Sequence, residues 1–148
     1  MRFTQILILS AALATTTAAL PADRPTAGPA ITVYHSPTCG CCRKWVDYLK
    51  AEGFTVKSIE QEDLTDIKAE LGVVPKLRSC HTAVIAGYVV EGHVPAADIR
   101  RLLSEKPKLT GLTAPGMPQS APGMDAGKTP YEVLAFDAKG TTTVWAQH

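Results

Sequence analysis

The stretch Ile31-Thr32-Val33-Tyr34-His35-Ser36-Pro37-Thr38-Cys39-Gly40-Cys41-Cys42 leads from an apolar run through a turn into three cysteines within four residues. Ile31–His35 reads as a strand and Ser36-Pro37-Thr38 as turn and cap. Cys39 to about Ala51 reads as a helix packed through Trp45, Val46, Tyr48 and Leu49 and ended by Gly53. This is a βα unit with sulfur at its hinge. Cys39 and Cys42 are spaced i, i+3, which on a first helical turn sets their Cβ atoms about 5–6 Å apart, within reach of a disulfide or a shared metal ion. Cys41 is surplus to such a pair. A vicinal Cys41–Cys42 disulfide is awkward, because adjacent Cα atoms lie about 3.8 Å apart and disulfides usually span about 4.4–6.8 Å. A metal accepts crowded thiolates more readily.

Working outward, Phe54–Ile59 alternates as a second strand, and Asp63 can cap a helix running through Ile67 and Leu71 to Gly72. After Val73-Val74-Pro75, residues Lys76–Ser79 read as polar loop. Thr82–Ala86 and Tyr88–Glu91 then form a hairpin about Gly87. Pro95 starts a helix with Ile99, Leu102 and Leu103 on one face, and Pro107 ends it. The order βαβα then ββα predicts an α/β fold over residues 31–108: a thioredoxin-like mixed four-stranded sheet with flanking helices. Residues 109–129 read as a Gly/Pro/Met loop, in which Pro115-Gly116-Met117 is echoed by Pro122-Gly123-Met124. Residues 130–148 read as a C-terminal β-hairpin; being marginal alone in water, it should pack on the main domain and drape the loop across it.

The 148 residues suffice for one core, and 45% hydrophobic with 20% charged residues is ordinary for a globular chain. Residues 1–19 differ. Arg2, the apolar run Ile6–Leu9 continuing to Leu13, and Thr17-Ala18-Ala19 form a secretory signal peptide too short to span a bilayer, with 20–30 as a flexible lead-in. Cleavage takes away Arg2 and no acid, leaving 14 basic and 14 acidic residues and no membrane span. With its basic residues scattered, the mature chain has no nucleic-acid face. Export into an oxidising periplasm would turn the four cysteines into disulfides unless they were kept reduced or ligated.

Cys39 sits where a strand meets a helix N-terminus, a place that favours a thiolate. Thiol oxidoreductases of thioredoxin fold put a cis-proline just before the third strand, beside the cysteine pair. Here that position belongs to Ser79-Cys80-His81-Thr82, so a fourth cysteine should face the other three. Thiols of Cys39, Cys41, Cys42 and Cys80, the imidazole of His81 and thioethers of Met117 and Met124 make a soft ligand set suited to Cu(I), less so to Zn(II).

These segments together, over roughly Ile31–Asp125, resemble the CopG-like family of exported bacterial thioredoxin-like copper-resistance proteins. The resemblance implies a cysteine-centred site for one copper ion or several, holding or redox-handling Cu(I) in the periplasm; ligand exchange at an exposed site would pass copper to another periplasmic copper protein. It carries over most directly to Cys39, Cys41, Cys42 and Cys80. The alternative is a periplasmic thiol–disulfide oxidoreductase in which Cys39 attacks and Cys42 resolves. Whether binding is accompanied by turnover stays open. Two blander readings are a pair of structural disulfides, Cys39–Cys42 with Cys41–Cys80, and a secreted protein-binding module. His35 reads as a partly exposed strand end, and His93 and His148 as surface residues.

Overall fold

The computed structural model describes residues 27–148; the signal-peptide reading of 1–19 and most of the lead-in lie outside them. Eleven elements follow in order: β1 (Ala30–His35), α1 (Gly40–Ala51), β2 (Thr55–Glu60), α2 (Thr65–Glu70), a 3₁₀ turn (Pro75–Leu77), β3 (His81–Ile85), β4 (Tyr88–Glu91), α3 (Ala96–Glu105), β5 (Gly111–Thr113), β6 (Glu132–Phe136) and β7 (Thr142–Gln147). The strands form one mixed seven-stranded sheet in the order β2-β1-β3-β4-β5-β6-β7. β1 and β2 are parallel across α1, and β4 and β5 are parallel across α3. The remaining neighbours are antiparallel.

Two expectations are corrected here. The sheet has seven strands, and the C-terminal hairpin is not a separate extension, because β5 bridges β4 to β6. The 109–129 stretch therefore begins as strand and only then becomes loop. Three residues are too few to display alternation in a sequence, and the glycine that opens β5 looks like a turn signal. Its real role is close approach: a Cβ on Gly111 would lie 1.9 Å from the Val89 carbonyl oxygen. The polar loop expected at Lys76–Ser79 also contains part of the 3₁₀ turn, which starts at Pro75, where fixed φ and a missing N–H cost a first turn nothing.

Strand alternation divides the apolar residues between two faces. On one, Ile31, Val33, Ala83, Ile85, Val90 and Val133 pack against Trp45, Val46 and Leu49 of α1 and Ile99 and Leu102 of α3. On the other, Val89 and Phe136 meet Val73 and Leu77 of the segment after α2. In α1 the buried residues Cys42, Trp45, Val46 and Leu49 recur at i, i+3, i+4 and i+7, so the stripe that anchors the helix ends on a cysteine. The hairpin is tied to α3 by Arg101 stacked 3.9 Å from the Trp145 ring and by His148 Nε2 2.7 Å from Asp98 Oδ2. Among the described residues no helix is long and apolar enough to cross a membrane.

Candidate metal centre

Cys39 is the N-cap of α1 and has extended backbone, so its sulfur sits over the helix mouth without capping it. Gly40 opens the helix, and Cys42 turns inward to full burial beside Trp45. Cys39 and Cys42 are joined in a disulfide with Cα atoms 5.3 Å apart, while Cys41 and Cys80 are free thiols, so the Cys41–Cys80 pairing is not formed. Cys41 Sγ lies 3.6 Å from Cys39 Sγ. Cys80, immediately before β3, closes the set: the sulfurs of Cys39, Cys41, Cys42 and Cys80 all lie within 4.8 Å of one another.

A second group shares Cys80. Its Sγ is 3.3 Å from His81 Nδ1 and 3.2 Å from His93 Nε2, and the three ligand atoms again lie within 4.8 Å of one another. Both imidazoles are buried, which corrects the surface reading of His93. His93 Nδ1 is 2.8 Å from the Pro122 carbonyl oxygen. A carbonyl only accepts, so that nitrogen carries the proton and Nε2 turns its lone pair toward Cys80. His81 packs at a tilt of 40° against Trp45 with ring centroids 4.4 Å apart, and its Nε2 is buried with no partner. His35 is also buried rather than half-exposed: Nδ1 donates to the Ser36 carbonyl, and Nε2 accepts from the Ser58 hydroxyl at 2.6 Å. His148 is exposed apart from its contact with Asp98.

Burial, reinforced by the Cys41 thiol beside it, pushes the Cys80 thiol up to about 12. Burial first, then the neighbouring His93, holds His81 well below the usual histidine range; burial lowers His93 as well. The metal-free centre therefore presents neutral imidazoles and a protonated Cys80, and a thiophilic ion entering it must displace that proton. An open pocket of about 290 Å³, lined in part by Ser36, Arg78, Ser79 and Cys80, connects this thiol to solvent.

The geometry can be set beside known proteins. The family described as "Protein of unknown function, DUF411" matches residues 77–124, a span that holds Cys80, His81, His93 and both Pro-Gly-Met units but not the Cys39–Cys42 motif. Two solved structures, titled "Copper resistance protein copG- Form 1" and the corresponding "Form 2", are each 42% identical to this chain, with a TM-score of 0.77. Each match covers 82% of this chain and 98% of the other. The chain belongs to the CopG family. A comparison with curated proteins found no match.

In this CopG-family chain both halves of the Pro-Gly-Met echo are tied to the centre. The Ser79 hydroxyl donates to the Gly116 carbonyl, and Gly116 N–H donates to Arg78 O at 3.2 Å. The Pro122 carbonyl accepts a hydrogen bond from His93 Nδ1–H, and Gly123 lies against the backbone of α1. The sulfurs' carriers differ in exposure: Met117 is 54% exposed, and Met124 is half-buried.

Gly123 has φ +84°, and a Cβ there would lie 2.8 Å from Trp45 N and 3.1 Å from Cys41 O, both unyielding backbone atoms. Gly123→Ala is accordingly expected to cost about 1–3 kcal/mol. Urea denaturation of the disulfide form checks this, and a loss under about 0.5 kcal/mol, the scale of an ordinary surface substitution, would mean the loop is not seated on α1.

The sequence reading missed His93, although a signal existed. The hairpin about Gly87 pairs Thr82 with Glu91, and continuing that register by two residues sets His93 opposite Cys80.

Proposed function

We propose that this chain is a periplasmic copper-handling protein that holds Cu(I) on Cys39, Cys41, Cys42 and Cys80. The observation that carries the reading is the convergence of four sulfurs from two distant pieces of chain within 4.8 Å. Soft thiolates crowded at that distance select a soft monovalent ion over hard cations. Family membership alongside proteins titled for copper resistance points the same way. Residues 1–19 read as a signal peptide, which supports the periplasm as the compartment. The run β2-β1-β3-β4 with its three helices over 31–108 supports a thioredoxin-like domain, whose sheet β5 and the C-terminal hairpin then continue.

Cys80 belongs to both ligand groups, so a bridging thiolate there would let the centre hold more than one copper, with His81 as a nitrogen ligand of the second. Met117 and Met124 are supplementary thioether ligands in this reading. The pocket beside Cys80 suits ligand exchange with another copper protein. The Cys39–Cys42 disulfide favours a redox step at the same place. Forming it from two thiols releases two electrons and two protons, which balances reduction of two Cu(II) ions to Cu(I). It equally favours the second reading, thiol–disulfide exchange with Cys39 as the attacking sulfur.

An anaerobic titration separates the two. The reduced protein should compete with a Cu(I) chelator and release protons on binding, whereas the disulfide form, with two sulfurs tied up, should compete poorly. Cys41→Ser should weaken binding without slowing disulfide exchange. Equal Cu(I) affinity in reduced, oxidised and Cys41→Ser protein, together with reductase turnover abolished by Cys39→Ser, would overturn the copper reading in favour of the second.

A further inference from the structure

We infer that the buried Lys68–Glu91 pair is a positioning device for Cys80, and the inference rests on the reading of Cys80 as a copper ligand. Glu91 ends β4 on the sheet face opposite Trp45 and is fully buried; Lys68 comes from α2 and is nearly so. Glu91 Oε1 accepts from Lys68 Nζ at 2.5 Å and from the Ser79 backbone N–H at 2.6 Å. Oε2 accepts from the Thr82 hydroxyl at 2.5 Å, and that hydroxyl in turn accepts from Lys68 Nζ at 2.7 Å. One carboxylate thus grips the chain at residues 79 and 82, on either side of Cys80 and His81.

Stability alone does not account for this arrangement. Replacing a buried ion pair by apolar residues of similar volume is often neutral or stabilising, so the pair is weak evidence of a stabilising role, whereas the geometry it imposes is specific. The geometry matters here. Cys80 must bring one sulfur within reach of three others and of two imidazoles, and it lies in the short connection between the 3₁₀ turn and β3, where no ladder bond of a named strand holds it. The Ser79 N–H bond to Glu91 fixes the entry to that connection, and the Thr82 hydroxyl fixes the exit. Groups that hydrogen-bond metal ligands directly typically carry about 10–100-fold of a site's metal affinity, and the clamp, acting on the residues that flank Cys80, is placed on the same scale.

The test uses Lys68→Met/Glu91→Leu, which removes every leg of the clamp, and Lys68→Met/Glu91→Gln, which keeps an oxygen for Ser79. For the reduced protein, the first should weaken Cu(I) binding about 10–100-fold against a chelator, with the second recovering most of that loss. In a Cys80→Ser background the first should add no further loss, a non-additivity that mere destabilisation would not produce. A readout without copper runs in parallel. In Cys41→Ser protein with the Cys39–Cys42 disulfide intact, Cys80 is the single thiol, and iodoacetamide should alkylate it severalfold faster once the clamp is gone.

Unchanged alkylation in the Lys68→Met/Glu91→Leu protein, or an equal loss of affinity with and without Cys80, would overturn the inference. Should that variant not fold, Thr82→Val removes the hydroxyl leg alone, and the same alkylation assay decides. Failure of the unmodified protein to bind Cu(I) would sink the copper reading but leave the alkylation result to judge the clamp.

Discussion

Replacing Cys80 with serine is expected to weaken Cu(I) binding by at least about a hundredfold, the upper end of what is lost when only a ligand's supporting partner is removed. The change is also expected to lower the number of ions bound, because Cys80 is the sulfur common to the four-cysteine group and to the group with His81 and His93. A serine hydroxyl is a hard donor that does not ionise near neutral pH, so the variant should release one proton fewer when copper enters. The fold should tolerate the exchange. Serine is close to cysteine in size, and its hydroxyl can still meet His93 Nε2, which lies 3.2 Å from the sulfur it replaces. The Cys39–Cys42 disulfide should form as before, so thiol–disulfide exchange, if that were the activity, would be untouched. Chelator competition and unfolding curves on the same preparation check both halves. Retention of full affinity and stoichiometry by Cys80→Ser would remove the reason for reading the four sulfurs as one pocket.

That pocket was legible because its parts are local or nearly so. The apolar run before Cys39, the i, i+3 spacing to Cys42 and the amphipathic stripe through Trp45 and Leu49 are short-range patterns that secondary structure obeys directly. The position of Cys80 followed from topology: β3 lies beside β1, so the residue before β3 arrives at the end of the sheet where β1 gives way to α1.

What the sequence concealed depended on pairing between elements. β5 carries three residues and no alternation, yet it joins the C-terminal hairpin to the sheet. His93 and His35 look like loop and strand-end histidines until the hairpin register and the Ser58 contact bury them. Lys68 and Glu91 are separated by 23 positions, and each alone reads as a solvated charge. The Pro-Gly-Met echo was visible, but its attachment at both halves required knowing which backbone atoms it approaches.

The second large effect is expected at Trp45, whose truncation to alanine should destabilise the fold by about 3–5 kcal/mol. Trp45 is fully buried, its Nε1–H donates to the Val94 carbonyl at 3.0 Å, and its ring packs at a tilt against His81. Gly123 packs against its backbone from outside. One side chain thus joins α1 to the segment entering α3, floors the imidazole beside Cys80, and underlies the helix turn that carries Cys41 and Cys42. Alanine would leave a cavity too well bounded by strand residues to collapse, and it would orphan the Val94 carbonyl. Trp45→Phe should keep most of the packing and lose chiefly the hydrogen bond, at about 1–2 kcal/mol. Trp145, half-exposed on β7 under Arg101, should cost less than Trp45 when truncated, because solvent already reaches it. Chemical denaturation of the three variants, with the Cys39–Cys42 disulfide intact and again after reduction, orders these effects. A loss below about 1 kcal/mol for Trp45→Ala in both states would be far under the core-truncation range. The sulfur arrangement would then have to be held by the covalent link and the loop rather than by the helix that presents it.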